Sequence, residues 1–362
     1  MKPPCPYCLT QQGFLIDAPP AEMPRHICVS CKETVPRLYI EGAKTFPPVI
    51  ISAIGYPRHG KTVYCASLLR EIKRLAGIWP GFYSLAIDEE SLENVYRNMG
   101  RLGKNELPDA TPRTFPRPMM LRLSGIPQHG NCTLVIYDTS GESFERASSM
   151  GRYARFVARA PTALFFVSIP DLCETGEPAA ELSRLLNTYL IGMGDLGADT
   201  RRQNLVVVLT KADAFESQLA SGSPELRQHL HADDESELLA DGNLAPWSTV
   251  MTPAVRELFD DLLGCGTDAT QAENSFDYLD RISARLRRFL LERIDACEFI
   301  RLSEQRFRRV DYCLVSSLGA PPVQGRIVPA RPCRVFDPLL RVLANRISLF
   351  RWLYTRCLGA GR

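Results

Sequence analysis

At 362 residues the chain is long enough for one large α/β domain with attachments, or for two domains, so core size is not limiting. Hydrophobic residues make up 45% and charged residues 23%, an ordinary globular composition that excludes wholesale disorder. With 43 Lys and Arg against 41 Asp and Glu, the formal charge of +2 gives no overall electrostatic case for nucleic acid or membrane as a partner.

The N-terminus, MKPPCPYC, lacks the apolar core of a secretory signal, and no run approaches the roughly 18 apolar residues of a membrane helix. A cytoplasmic protein is expected. Twelve cysteines are many for a reducing compartment, but Cys5, Cys8, Cys28 and Cys31 form C-x2-C-x19-C-x2-C, and others sit singly in apolar contexts such as TVYCASLL. Two-residue gaps make tight knuckles that bring paired thiolates to one Zn2+, and four thiolates leave no open position for water. Residues 1–46 therefore read as a structural zinc ribbon, a module distinct from the remainder of the chain. His26 reads as a surface residue and not as a ligand.

From residue 48 the pattern is α/β. A buried-type strand over 49–54 leads into a helix over 61–76, with Val63, Leu68, Leu69, Ile72 and Leu75 at helical spacing and a stop near Gly77. The strand-like FYSLAI precedes a polar helix around 89–99, and the prolines of GKNELPDATPRTFPRP forbid regular structure there. Further strands read as MMLRLSG, CTLVIYD, ALFFVSI, LVVVLT and VDYCLVS, with helices near 178–193 and 277–296. This alternation predicts a mostly parallel sheet within a second unit, 47–362.

Charge is uneven along that unit. Residues 214–275 carry twelve Asp/Glu and two Arg, whereas 298–362 carry twelve Arg and four Asp/Glu. The acidic insert, including HADDESELLAD, and the basic end are expected to neutralise one another, with a charged docking surface as the alternative. About a hundred residues between the last two strands exceed what one connection requires, so the insert reads as a regulatory element or a surface decoration. A last helix over 337–354 places Leu339, Leu343, Ile347, Phe350 and Tyr354 on one face, with Arg341 and Arg351 away from it.

Three motifs stand at strand ends. Gly55-Tyr56-Pro57-Arg58-His59-Gly60-Lys61-Thr62 fits G-x-x-x-x-G-K-[ST], in which backbone N–H groups cradle phosphates, Lys61 bridges the terminal ones and the Thr62 hydroxyl ligates Mg2+. Asp138-Thr139-Ser140-Gly141 puts a carboxylate within reach of Mg2+ and a glycine N–H within reach of a γ-phosphate. In Thr210-Lys211-Ala212-Asp213, Asp213 can accept from guanine N1–H and the N2 amine, a pair of donors that adenine lacks, while Lys211 lies along the base. Ser316-Ser317-Leu318-Gly319 after the last strand places a backbone N–H near Ser317 for the guanine O6.

In this order the motifs resemble a P-loop GTPase of the Ras-like, translation-factor-related class over about residues 48–355. With the cysteine module and long inserts, the chain also resembles the double-GTPase proteins of bacterial conflict systems. The resemblance implies a P-loop GTPase fold and GTP/GDP, Mg2+ and Zn2+ as ligands. It further implies a nucleotide contact set of Gly55, Arg58, His59, Gly60, Lys61, Thr62, Val63, Asp138, Gly141, Thr210, Lys211, Asp213, Ser316, Ser317 and Leu318.

The family's switch threonine is Thr111 or Thr114, of which Thr111 is favoured as an Mg2+ ligand beside Thr62 and Asp138. Lys61, Thr111, Gly141 and Glu142 form the implied catalytic set. Glu142 stands where many relatives have Gln, and a carboxylate is repelled by phosphate, so slow hydrolysis is expected. Arg58, Arg146 or Arg152 could supply transition-state charge, and Pro57 should stiffen the phosphate loop. The implied function is a GTP-hydrolysing switch signalling to a protein partner. The alternatives are a non-catalytic, nucleotide-stabilised adaptor whose ribbon binds nucleic acid or protein, and an ATPase.

Overall fold

The computed structural model describes residues 3–18, 23–126, 129–216, 219, 224–231, 275–323, 326–327 and 332–344. The acidic run from residue 232 onward and the expected last helix beyond residue 344 lie outside the described residues.

Seven strands make one sheet in the order β10-β9-β8-β4-β7-β6-β5. They are β4 (Pro48–Ile54), β5 (Tyr83–Ala86), β6 (Met119–Ile126), β7 (Gly130–Asp138), β8 (Thr162–Ser168), β9 (Asn204–Thr210) and β10 (Arg309–Leu314). These are the seven expected strands. The five from β10 to β7 are mutually parallel, while β6 pairs antiparallel with both β7 and β5. The short β6–β7 connection explains the reversed strand, since parallel neighbours need a long crossover.

The central strands are apolar on both faces because helices cover both. On β8, Ala163, Phe165 and Val167 enter one hydrophobic cluster and Leu164 and Phe166 the other; on β9, Leu205, Val207 and Leu209 alternate in the same way with Val206 and Val208. The first cluster is completed by α6 (Pro178–Asp195), α8 (Ser275–Arg293) and α9 (Cys297–Arg306). The second is completed by α2 (Lys61–Arg74), through Tyr64, Cys65, Leu68, Leu69 and Ile72, and by α10 (Asp337–Ala344). Val63, expected on the buried stripe of α2, is half-buried and lines a cavity at the C-terminal ends of the strands.

One expectation for the last helix is corrected. Helical spacing assigns Arg341 to the outer face, yet it is 1% exposed. Its guanidinium is bonded to Asp280 of α8 and lies 3.8 Å from Asp311 of β10. Spacing places a residue on a face but does not say what covers that face; here two carboxylates do, and a buried arginine is tolerable only with such partners. Beside it the buried Arg334 and Asp337 pair at 3.0 Å, and His229 of α7 (Pro224–His231) approaches Asp337 at 3.2 Å. Among the described residues, then, the basic end finds carboxylates on α8, β10 and its own helix.

The N-terminal segment forms a three-stranded antiparallel sheet of β1 (Phe14–Asp17), β2 (Arg25–Cys28) and β3 (Thr34–Val35), followed by α1 (Arg37–Glu41). It packs on the large sheet and shares its first hydrophobic cluster. Tyr7, Leu9, Val35 and Tyr39 join Met120, Tyr137 and Phe156 there. Tyr39 donates to the carbonyl of Pro4 at 2.8 Å and Arg159 to that of Cys8 at 2.9 Å.

Candidate functional site

The loop after β4 is held in shape by its glycines and by its lysine. Gly55 has φ +151°, and a Cβ there would lie 2.6 Å from the Phe166 carbonyl oxygen; Gly60, at φ +80°, is the left-handed cap of α2. No side chain caps this helix, so its first-turn N–H groups are left for a ligand at the positive end of the helix. Lys61 folds back over the loop and donates to the carbonyls of Gly55 at 2.9 Å and Tyr56 at 2.8 Å. Its burial pushes the ammonium down to about 8.

The loop is also pinned from beneath. Thr210 donates to the carbonyl of His59 at 3.0 Å, and the His59 ring, 4% exposed, reaches the Phe166 carbonyl through Nδ1 at 3.0 Å. Burial lowers His59 to about 4, so the ring is neutral and supports the loop from the core side.

Three of the expected metal ligands converge at the start of α2. The hydroxyls of Thr62 and Thr111 lie 2.7 Å apart, and Thr111 donates to Asp138 Oδ2 at 2.8 Å. Burial raises the Asp138 carboxyl above its ordinary range, opposed by the Thr111 bond and the Lys61 charge. Its other oxygen, Oδ1, is buried without a hydrogen-bond partner. Two hydroxyls, a carboxylate with an orphaned oxygen and a buried ammonium suit a hard cation with a phosphate beside it. Thr114, the competing residue, is exposed.

Gly141 begins a 3-10 turn, Gly141–Phe144, that abuts the phosphate loop; a Cβ on it would fall 2.1 Å from Pro57 N and 2.4 Å from Tyr56 C. Only glycine fits so close an approach. Glu142 is exposed beside it, and Arg113, from the loop that carries Thr111, reaches its Oε2 at 3.9 Å.

At the opposite end, Ser316 donates to Asp213 Oδ1 and accepts from the Gly319 N–H at 2.9 Å, which fixes that carboxylate. The two loops are joined by the Ala212 N–H bond to the Val315 carbonyl at 3.2 Å. Ser67 of α2 donates to the Ser317 carbonyl at 2.7 Å. Lys211, in left-handed backbone at φ 56°, ion-pairs with Asp171 at 2.6 Å. Asp171 sits in α5 (Ile169–Glu174), and Lys211 holds its carboxyl below the usual range against the opposing effect of partial burial.

A cavity of about 570 Å3 joins these ends. Of the expected contact set, Arg58, Gly60, Lys61, Thr62, Val63, Gly141, Thr210, Lys211, Asp213, Ser317 and Leu318 line it, as do Thr111 and Glu142; Gly55, His59, Asp138 and Ser316 stand behind that lining. Sequence reasoning missed part of the wall: Leu107, Pro108, Ala320, Pro321 and Pro322. It also missed Asp171 and Arg113. Ser168-Ile-Pro-Asp171 after β8 is an S-x-x-D capping pattern that could have drawn attention to Asp171, and Ser168 does cap α5. Nothing local marks Arg113. Arg58 is 76% exposed in its side chain, 4.0 Å from Asp171, and Arg146 is exposed.

The four cysteines converge independently of this cavity. Their sulfurs all lie within 4.8 Å of one another, and the cross-pairs Cys5–Cys31 and Cys8–Cys28 are each 3.7 Å apart. A tetrahedral zinc with Zn–S bonds of about 2.3 Å implies sulfurs roughly 3.8 Å apart, so the set fits the ion. The two knuckles match each other: Leu9 N–H bonds the Cys5 carbonyl and Lys32 N–H that of Cys28, with Leu9 and Lys32 both at positive φ. His26 is not in the cluster.

Among the described residues, no helix is long and apolar enough to cross a membrane. No curated protein matches the sequence significantly. Among solved structures, the crystal structure of the S. cerevisiae Ski7 GTPase-like domain, bound to GTP, is similar at 10% identity with a TM-score of 0.30, over 85% of this chain and 53% of that one. The present chain thus spans about half the length of that neighbour, and a likeness of this size transfers no function. A family model described as Double-GTPase 2 matches residues 49–245. That stretch carries the phosphate loop, both residues that meet Thr111, and Asp213, and it exceeds half the chain: the protein belongs to the Double-GTPase 2 family.

Proposed function

We propose that the chain binds GTP with Mg2+, hydrolyses it to GDP and phosphate, and signals the state of its loops 104–118 and 141–156 to a protein partner. The bacterial conflict systems implied by the sequence resemblance are the proposed setting. The observation that carries this reading is the convergence of Thr62, Thr111 and Asp138, three residues from three elements, at the uncapped N-terminus of α2.

In this reading Thr62, Thr111 and Asp138 hold Mg2+, which when bound neutralises phosphate charge. Lys61 exchanges the carbonyls of Gly55 and Tyr56 for terminal phosphate oxygens, and the N–H groups of residues 60–63 take the others. Asp213, oriented by Ser316, accepts both guanine donors, and the Ser317 N–H meets O6. Gly141, tight against Pro57, offers its N–H at the γ-phosphate end, so loss of that group releases the turn that Glu142 shares. Lys211, fixed by Asp171, lies along the base.

Thr111→Ala and Thr114→Ala test the carrying observation. Thr111→Ala should lower Mg2+-dependent affinity for a GTP analogue by about tenfold, the scale of one charge-assisted contact, whereas Thr114→Ala should leave it unchanged. Equal effects of the two would remove the reading's main support. Multiple-turnover phosphate release separates a GTPase from a nucleotide-stabilised adaptor.

A further inference from the structure

We infer that Arg113 is a positioning residue for Glu142: its guanidinium neutralises and fixes the carboxylate after Gly141 so that this carboxylate can face a γ-phosphate. The inference rests on the nucleotide reading above. Glu142 lines the same cavity as Lys61, Thr62, Thr111 and Gly141, which puts an acid where an anion is to bind. An uncompensated carboxylate there opposes the phosphate tail. Its ion-pair partner comes from the other loop: Arg113 Nη1 lies 3.9 Å from Glu142 Oε2.

The guanidinium is itself held in place. Arg113 Nη2 donates to Ser149 Oγ at 3.2 Å, and its Cζ stands 5.2 Å from the centre of the Tyr153 ring. A flat, forked cation can meet a hydroxyl, a ring face and a carboxylate at once, which a lysine ammonium cannot. Both partners are half exposed, at 44% and 50% of their side chains, so the pair adds little to stability. Its effect is local: it sets a positive charge against Glu142 at the phosphate end of the cavity.

Position on the chain adds a second consequence. Arg113 is two residues beyond Thr111, whose hydroxyl bonds both Thr62 and Asp138. The contact that seats Thr111 therefore also brings the guanidinium to Glu142. The loop 104–118 then meets the segment 142–153 at a carboxylate, a hydroxyl and a ring, all through one side chain.

The test measures affinities for a non-hydrolysable GTP analogue and for GDP, with Mg2+, on the full chain and on R113A, R113K, E142Q and R113A/E142Q, together with kcat and KM for GTP. R113A should weaken the triphosphate analogue by about tenfold while GDP stays within about twofold, and R113K should recover only part of the loss. R113A/E142Q should return the analogue to within about threefold of the unmodified chain, because a neutral amide needs no counter-charge. An unchanged analogue-to-GDP ratio in R113A overturns the inference. A double variant as weak as R113A also overturns it, since the guanidinium would then act on the phosphate directly. An unmodified chain that binds neither nucleotide overturns the nucleotide reading first and this inference with it.

Discussion

Tyr137 and Pro6, 131 residues apart in sequence, meet beneath the large sheet, where the Tyr137 hydroxyl donates to the Pro6 carbonyl between the first two cysteines. The Tyr137 ring stacks on Phe156 at 4.0 Å, with 11° between the planes. Asp138 is the next residue in sequence. The thiolate cluster and the proposed metal ligand are thus separated by one residue of β7, and the ribbon is part of the wall that holds that strand.

Zinc removal should therefore be felt beyond residues 1–46. Chelation, or Cys28→Ser, is expected to release one zinc per chain and to expose the side of the core formed by Tyr39, Tyr137 and Phe156. Uncovering one or two such side chains costs about 2 to 3 kcal/mol each by area, which for a chain of this size lowers Tm by roughly 3 to 8 °C. Metal analysis and scanning calorimetry check both halves. Protein purified without chelator that contains no zinc contradicts the ribbon; an unchanged Tm for the large domain contradicts the shared core.

If Lys61 meets the phosphates as proposed, nucleotide binding should depend on pH. Burial, opposed by the charge of Asp138, holds its ammonium at about 8, so the free chain is charged below that pH and loses the proton as pH rises through it. Binding a phosphate requires the charged form, so above pH 8 the proton must be restored at binding. GTP affinity should be flat up to about pH 7 and fall by up to about tenfold per unit above 8. Lys61→Ala should bind weakly with a flat profile over that range and show no turnover. Calorimetric titration at several pH values measures the slope, and a wild-type profile flat to pH 9 would falsify this role for the lysine.

In the proposed reading, base choice rests on Asp213 and on Ser316, which bonds it. Asp213→Asn removes two charge-assisted hydrogen bonds, on the order of 3 to 6 kcal/mol, or a hundredfold or more in GTP affinity. The amide should shift preference toward xanthine, which carries an oxygen at position two. Ser316→Ala leaves the carboxylate but frees it, and should cost about 1 kcal/mol, roughly fivefold. Competition of GTP, ATP and XTP for each variant gives the order; unchanged GTP affinity in Asp213→Asn would show that the carboxylate does not meet the base.

Asp171 should matter although it lies outside every expected motif. Its pairing with Lys211 at 2.6 Å fixes the side chain proposed to lie along the base. Asp171→Asn is expected to weaken GTP and GDP alike by about three- to tenfold, because neither contact depends on the γ-phosphate. Titration of both nucleotides checks this. A loss confined to GTP would place Asp171 at the phosphate end instead.

The features legible in the sequence were those set by local spacing. Strand alternation, the glycines of the phosphate loop and the paired C-x2-C steps each fix a backbone geometry within a few residues, and all seven strands and the thiolate cluster result from them. Thr111 is favoured over Thr114 in the sequence, but its bonds to Thr62 and Asp138 are seen only in three dimensions. Arg341 was misplaced because its burial depends on Asp280, 61 residues away, and on Asp311. Arg113 and Tyr137 were invisible for the same reason: their partners, Glu142 and Pro6, are neighbours only after the sheet has formed. Long-range ion pairs and side-chain bonds to distant carbonyls leave no periodic trace.

The most direct measurement of the central claim is phosphate release from GTP and from ATP by the full chain, with Mg2+ and with EDTA, beside Kd values for both nucleotides. The expected result is tighter binding of GTP than of ATP by a hundredfold or more, on the order of what two hydrogen bonds to guanine supply. Slow phosphate release from GTP should require Mg2+ and vanish in Lys61→Ala. Preference for ATP, or release that persists in EDTA, would contradict a guanine site built on Asp213 and a metal held by Thr62, Thr111 and Asp138.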